Sequence, residues 1–125
     1  DIQIINEVNP GLQLYQYREP LKILIYNLTT NAINFSSSGS VIISCIRTAD
    51  HVVITVADKG IGMTEAQIEN ILSDGYIISS ANIDNKKGNG LGYLIIKDLL
   101  KMMGANMHIE SKKQEGTKVV ISIPF

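Results

Sequence analysis

Apolar positions recur along this chain with two periods, and the places where one period gives way to the other mark out its elements. Residues 2–8 alternate weakly (Ile2-Gln3-Ile4-Ile5) and end at the turn signal Asn9-Pro10-Gly11, which reads as a short strand. Leu12 to Tyr17 reads as a further short extended piece. From Arg18-Glu19-Pro20 the period becomes helical: Leu21, Leu24, Ile25, Leu28, Ala32 and Phe35 share one face at 100° per residue. Proline is tolerated in a first turn, Glu19 complements the dipole there, and Ser36-Ser37-Ser38-Gly39 ends the helix. Two β-branched runs, 40–47 and 51–58, flank a short turn and predict a hairpin. Thr64 with Gln67 three residues on forms a capping box, so a second helix runs from Glu65 to about Leu72. A third helix is expected from about Leu91 to Met103, apolar at Leu91, Leu94, Ile95, Leu99 and Met102, with Gly104 as its C′ residue. Residues 106–112 and 117–124 read as two final strands around a turn at Gln114-Glu115-Gly116.

The order β-α-β-β-α-loop-α-β-β predicts an α/β sandwich of the α+β class. Its mixed, mostly antiparallel sheet has about five strands, with three helices packed on one face. The stretch 73–90 fits neither period. It is polar and rich in Ser, Asp, Asn, Lys and Gly, and a loop of that length in a compact domain is usually functional or mobile. No internal repeat is visible.

Composition narrows this picture. The chain has 125 residues, which suits one domain, 1–125, with a core of its own. Aromatic residues make up 6 % and Trp is absent, so the core must be aliphatic. A formal net charge of −1 argues against a general nucleic-acid binder and against a basic membrane-surface protein. Cys45 has no partner for an internal disulfide and sits in an apolar strand pattern, as a buried small hydrophobe in a reducing compartment would. No secretion signal and no apolar run of membrane-spanning length is seen. The chain opens inside a strand-like segment without Met, which reads as a fragment of something longer.

Three segments carry candidate chemistry. Asn27, Asn31 and Asn34 stand at i, i+4 and i+7, in line beside the apolar face of the first helix. Asparagine competes with its own backbone for hydrogen bonds, so such a stripe is either the polar edge of a packed helix or a site. Asp58-Lys59-Gly60-Ile61-Gly62 puts a carboxylate at a strand end, followed by two glycines that permit close approach of backbone to a ligand. A plain β-turn is the simpler reading of that motif taken alone. Gly88-Asn89-Gly90-Leu91-Gly92 lies before a helix and could cradle phosphate, or serve as a hinge. No strand immediately precedes it and its spacing is G-x-G-x-G, so it is not a dinucleotide fingerprint; the Walker pattern is absent as well.

The ordered combination is specific. An Asn-x-x-x-Asn-Ala helix, a strand ending in D-x-G-x-G, a long polar loop, G-x-G-L-G at a helix start and a terminal hairpin with Gly116-Thr117 follow one another. Over essentially the whole chain this resembles the ATP-binding catalytic domain of sensor histidine kinases. That domain belongs to the wider superfamily of gyrase, Hsp90, histidine-kinase and MutL ATPases. The resemblance implies a Bergerat-type fold that binds ATP and Mg²⁺. By the same resemblance Asn31 would hold Mg²⁺ through its side-chain oxygen, with Asn27 one turn earlier beside it. Phe35 would flank adenine. Asp58 would accept from the adenine amine with Thr117 in support, and Gly60 and Gly62 would let the chain pass close to the base. Residues 73–90 would be the lid over the nucleotide, with Gly88, Gly90 and Gly92 and the intervening Leu91 facing phosphate. Lys86 and Lys87 would be lid cations near the phosphates, or a solvated charge pair.

The ATPase branches carry a water-activating Glu at the position of Asn27. An amide cannot be a general base, so the resemblance implies transfer of the γ-phosphate rather than hydrolysis. The acceptor would be a histidine on upstream dimerisation helices of the same protein, in two-component signalling with a response regulator downstream. His51 at a turn and His108 in a strand lack the helical His-Glu context of such an acceptor. The implied setting is a cytoplasmic domain, monomeric by itself, within a homodimeric parent that membrane helices could anchor. Three departures stand out. Asn34 replaces the usual basic residue of a phosphate contact, the Phe-rich box is hardly recognisable in Ile71 to Tyr76, and Tyr17 stands where an Asp often precedes the first helix. These keep open a nucleotide-poor scaffold, while an ATP-driven conformational module or a serine kinase would share the same motifs.

Overall fold

The computed structural model of the chain describes residues 2–7, 18–34, 36, 39–72 and 89–124. Its elements are β1 (Ile2–Asn6), α1 (Arg18–Asn34), β2 (Gly39–Arg47), β3 (His51–Asp58), α2 (Glu65–Leu72), α3 (Asn89–Met103), β4 (Asn106–Lys112) and β5 (Gly116–Pro124). The extended piece expected at Leu12 to Tyr17 lies outside the described residues.

The five strands form one sheet in the order β1-β2-β3-β5-β4. β1 runs parallel to β2, and every other pair is antiparallel. This is the mixed, mostly antiparallel sheet the sequence predicts. The parallel pair arises because α1 carries the chain across from β1 to β2, whereas β2–β3 and β4–β5 are hairpins. At the first hairpin Thr48 N–H donates to the His51 carbonyl at 2.8 Å and its hydroxyl receives the His51 N–H at 3.0 Å, which closes the turn.

One face of the sheet is buried. Val41, Val52, Ile54, Val56, Ile109, Val119, Ile121 and Ile123 alternate along their strands and are all below 9 % exposed. The intervening side chains are half-buried or exposed, with Ile46, His108, Glu110 and Lys118 among the exposed ones. The buried face packs against Leu24, Leu28 and Ala32 of α1, Ile71 of α2, and Tyr93, Ile96, Leu99, Leu100 and Met103 of α3. Complete burial of side chains such as Leu24, Ile96 and Ile121 contributes about 1.5–3 kcal/mol each. The aliphatic core foreseen from composition is therefore the contact layer between sheet and helices.

Two expectations need correction. α3 begins at Asn89, two residues before the expected start at about Leu91, so Gly90 lies in its first turn together with Leu91 and Gly92. Its buried stripe is Tyr93, Ile96, Leu99, Leu100 and Met103, while Ile95 and Met102 are 42 % and 62 % exposed. The run Leu91-Gly92-Tyr93-Leu94-Ile95-Ile96 is apolar on several sides, so periodicity alone leaves the rotation of the helix undetermined and packing against the sheet selects it. The helix ends as expected: Gly104 adopts φ +64°, with Ala105 N–H donating to the Leu100 carbonyl at 2.9 Å.

Candidate functional site

Sheet register lines up four side chains at one end of the buried face. Val41 pairs with Asp58, Asp58 with Thr117, and Thr117 with Ser111, across β2, β3, β5 and β4. Directly opposed residues of antiparallel strands project on the same side with β-carbons roughly 5 Å apart. Asp58, Thr117 and Ser111 are thus a polar row continuing an apolar sheet. They line an open groove of about 570 Å³ whose other wall includes Glu65 and Ile68 of α2.

The Asp58 carboxylate is half-buried and anchored through one oxygen. Its Oδ1 accepts the Gly60 N–H at 2.8 Å and the Thr117 N–H at 3.3 Å. Among the described residues Oδ2 receives no hydrogen bond. Burial pushes the acid above its ordinary range, opposed by the two backbone donors. This position combines rigidity with one acceptor atom that is unpartnered among the described residues, as a recognition carboxylate requires.

The turn after Asp58 is fixed by tertiary contact. Gly62 has φ +72°, and a β-carbon there would overlap the Lys112 carbonyl group. The Gln114 N–H donates to the Ile61 carbonyl at 2.6 Å, which ties the turn to the β4–β5 hairpin. At the hairpin Gly116, with φ +101°, comes equally close to the Asp58 carbonyl. The close approach that Gly62 permits is therefore to backbone of this same chain. Gly60 is buried and contributes its N–H to Asp58.

Ser111, which sequence reasoning passed over, sits at the centre of this arrangement. Its Oγ accepts the Met63 N–H at 2.8 Å, donates to the Gly116 carbonyl at 2.8 Å and lies 2.9 Å from Thr117 Oγ1. One serine among six polar or charged residues from Glu110 to Glu115 gives no sequence signal; only the register places it beside Thr117.

On α1, Asn31 is 5 % exposed and its amide nitrogen is buried with no hydrogen-bond partner. An unpartnered buried amide is costly in an apo fold, by roughly 1–3 kcal/mol, unless a ligand is its purpose. Asn27, one turn earlier, donates from Nδ2 to the Ile23 carbonyl at 2.8 Å. Among the described residues its oxygen has no partner. Asn31 therefore keeps a spare donor and Asn27 a spare acceptor, and an amide oxygen is a hard ligand suited to Mg²⁺. Asn34 ends α1, half-buried. Phe35, Lys86, Lys87 and Gly88 lie outside the described residues, as does most of the proposed lid 73–90.

His51 Nδ1 lies 2.8 Å from Asp50 at the hairpin tip and His108 is 70 % exposed, so both are surface residues as expected. Cys45 packs against the core from a half-buried position, and that burial raises its thiol pKa. No described helix is long and apolar enough to cross a membrane.

Comparison with known proteins bears on this arrangement. The sequence profile of histidine kinase-, DNA gyrase B- and HSP90-like ATPases matches residues 16–125. The chain is 30 % identical over 112 residues to the histidine protein kinase SaeS of Staphylococcus epidermidis, covering 87 % of this chain and 32 % of that one. It is 27 % identical over 128 residues to the autoinducer 2 sensor kinase/phosphatase LuxQ of Vibrio vulnificus, covering 98 % and 15 %. It thus spans a third or less of the length of these relatives. Among solved structures, full-length ShkA in complex with AMPPNP superimposes with a TM-score of 0.80 at 22 % identity, over 99 % of this chain and 26 % of that one. The mycobacterial sensor histidine kinase MprB gives 0.78 at 21 %, over 98 % and 81 %. At these identities the likeness establishes the fold.

Proposed function

This chain belongs to the family of histidine kinase-, DNA gyrase B- and HSP90-like ATPases, and from that premise we propose that it is the ATP-binding catalytic domain of a sensor histidine kinase. It binds ATP with Mg²⁺ and supports transfer of the γ-phosphate to a histidine on a helical domain of the same protein, with a response regulator as the onward acceptor. The observation that carries this reading is Asp58: a carboxylate held by two backbone N–H groups, with its second oxygen unpartnered among the described residues, beside Thr117.

In this reading Asp58 and Thr117 take the adenine amine, and Asn31 with Asn27 would hold Mg²⁺, which neutralises phosphate charge when bound. Gly90 and Gly92, in the first turn of α3, would face phosphate at the positive end of the helix dipole. No side chain of this chain is asked to act as a base. Asn27 stands where the hydrolysing branches carry Glu, and the work of the domain is positioning.

Isothermal titration with a non-hydrolysable ATP analogue, with and without Mg²⁺, tests the proposal. Micromolar to submillimolar binding that Asp58→Ala abolishes supports it. Absence of heat and of any thermal shift at millimolar nucleotide overturns it. Phosphotransfer to a separately supplied acceptor-helix domain then tests the kinase activity itself.

A further inference from the structure

We infer that Ser111 is a positioning residue that fixes the Thr117 hydroxyl as a hydrogen-bond acceptor, so that the floor of the site offers two acceptors and selects a base bearing an amine. This rests on the nucleotide-site reading above and adds to it the residue that orders the protons.

The argument is a count of hydrogens. A serine hydroxyl has one proton and two lone pairs. Ser111 commits its proton to the Gly116 carbonyl at 2.8 Å, because a carbonyl can only accept. One lone pair takes the Met63 N–H at 2.8 Å. The remaining lone pair faces Thr117 Oγ1 at 2.9 Å, so Thr117 is the donor in that contact. Its single proton is used, and what Thr117 presents to a ligand is lone pairs alone. Thr117 is 9 % exposed and has no other side-chain hydrogen bond among the described residues.

Beside it, in direct cross-strand register, Asp58 has its Oδ1 occupied by backbone donors and its Oδ2 without a partner among the described residues. Two neighbouring acceptors match the two N–H groups of an exocyclic amine such as adenine carries. They repel the carbonyl oxygen that guanine carries at the same ring position. Sites built to hydrogen-bond one group discriminate strongly against its reverse, because buried partners are left unpaired. With Ser111 removed, the Thr117 hydroxyl is free to rotate and donate, and a carbonyl becomes acceptable to it.

The test compares ATP and GTP analogues by titration calorimetry on the wild-type chain, Ser111→Ala, Ser111→Thr and Thr117→Val. Circular dichroism and thermal unfolding verify that each variant is folded. The expected result is wild-type preference for the ATP analogue, narrowed at least tenfold in Ser111→Ala and restored in Ser111→Thr, which keeps a hydroxyl. Thr117→Val, which keeps shape without the lone pairs, lowers ATP affinity about tenfold. A merely structural role would weaken both nucleotides equally and leave their ratio unchanged, and that result in a folded Ser111→Ala overturns the inference. If Ser111→Ala does not fold, Ser111→Thr and Thr117→Val carry the decision through the same ratio. Wild-type chain that binds neither nucleotide overturns the nucleotide-site reading and this inference with it.

Discussion

Gly62 and the backbone of Lys112 touch so closely that no side chain fits between them: a β-carbon on Gly62 would occupy the position of the Lys112 carbonyl. The contact joins the turn after β3 to the end of β4, and so holds Asp58 against the hairpin that carries Thr117. With φ at +72°, Gly62 is also in a conformation that L-residues rarely adopt. Gly62→Ala is therefore expected to destabilise the fold by about 3 kcal/mol or more, combining backbone strain with overpacking. Chemical denaturation measures it, and a loss within about 0.5 kcal/mol, ordinary for a surface change, would refute the contact.

Asp58 provides the second prediction. Its folded pKa is raised by burial, so the folded state binds the proton more tightly than the unfolded chain does. The sign follows: stability falls as pH rises from the ordinary value of about 3.9 through the higher folded value. Asp58→Asn removes that penalty while its amide oxygen can still accept from Gly60 and Thr117. The variant should melt no lower than wild type at pH 7 and lose nucleotide binding, since an amide NH₂ then faces the adenine amine. In the wild type, ATP affinity should decline on acidification with a midpoint above that of a free aspartate. Titrations across pH 4–7 read it directly, and a flat profile would remove Asp58 from the site.

Asn31 should show the opposite of a normal core truncation. Its buried amide nitrogen has no partner, so the side chain is a burden in the ligand-free fold. Asn31→Ala is expected to leave stability equal to wild type or above it by about 1 kcal/mol, while Mg²⁺-dependent nucleotide binding is lost. Thermal shift in the presence and absence of MgATP distinguishes the two effects; a strongly destabilised apo variant would show that the amide is structurally engaged.

Ile96 is fully buried where α3 meets the sheet. Ile96→Ala should cost about 2–5 kcal/mol, whereas Ile95→Ala, on the exposed side of the same helix, should cost well under that. Equal losses in urea unfolding would contradict the rotation of α3 described above.

The element order, the α1 face, the capping box and the glycine C-cap were legible from local signals, because each depends on residues within a turn or two of one another. The capping box forms as read, with Thr64 N–H on Gln67 Oε1 at 2.8 Å and Gln67 N–H on Thr64 Oγ1 at 3.1 Å. The face of α3 was not legible, because a helix apolar on several sides has no unique stripe until a sheet is laid against it.

By itself the sequence determined which segments become strands and helices, and which residue types, Asp58, Asn27, Asn31 and Thr117, are chemically equipped to form a site. Tertiary structure decided which of them meet. Asp58 and Thr117 are 59 positions apart and become neighbours through the β3–β5 register. Ser111 is drawn into the same row by β4–β5 pairing, with no mark in the sequence to distinguish it. The reason is physical: period and capping are written in neighbouring residues, whereas register and proton order are set by strands that meet only once the core has closed.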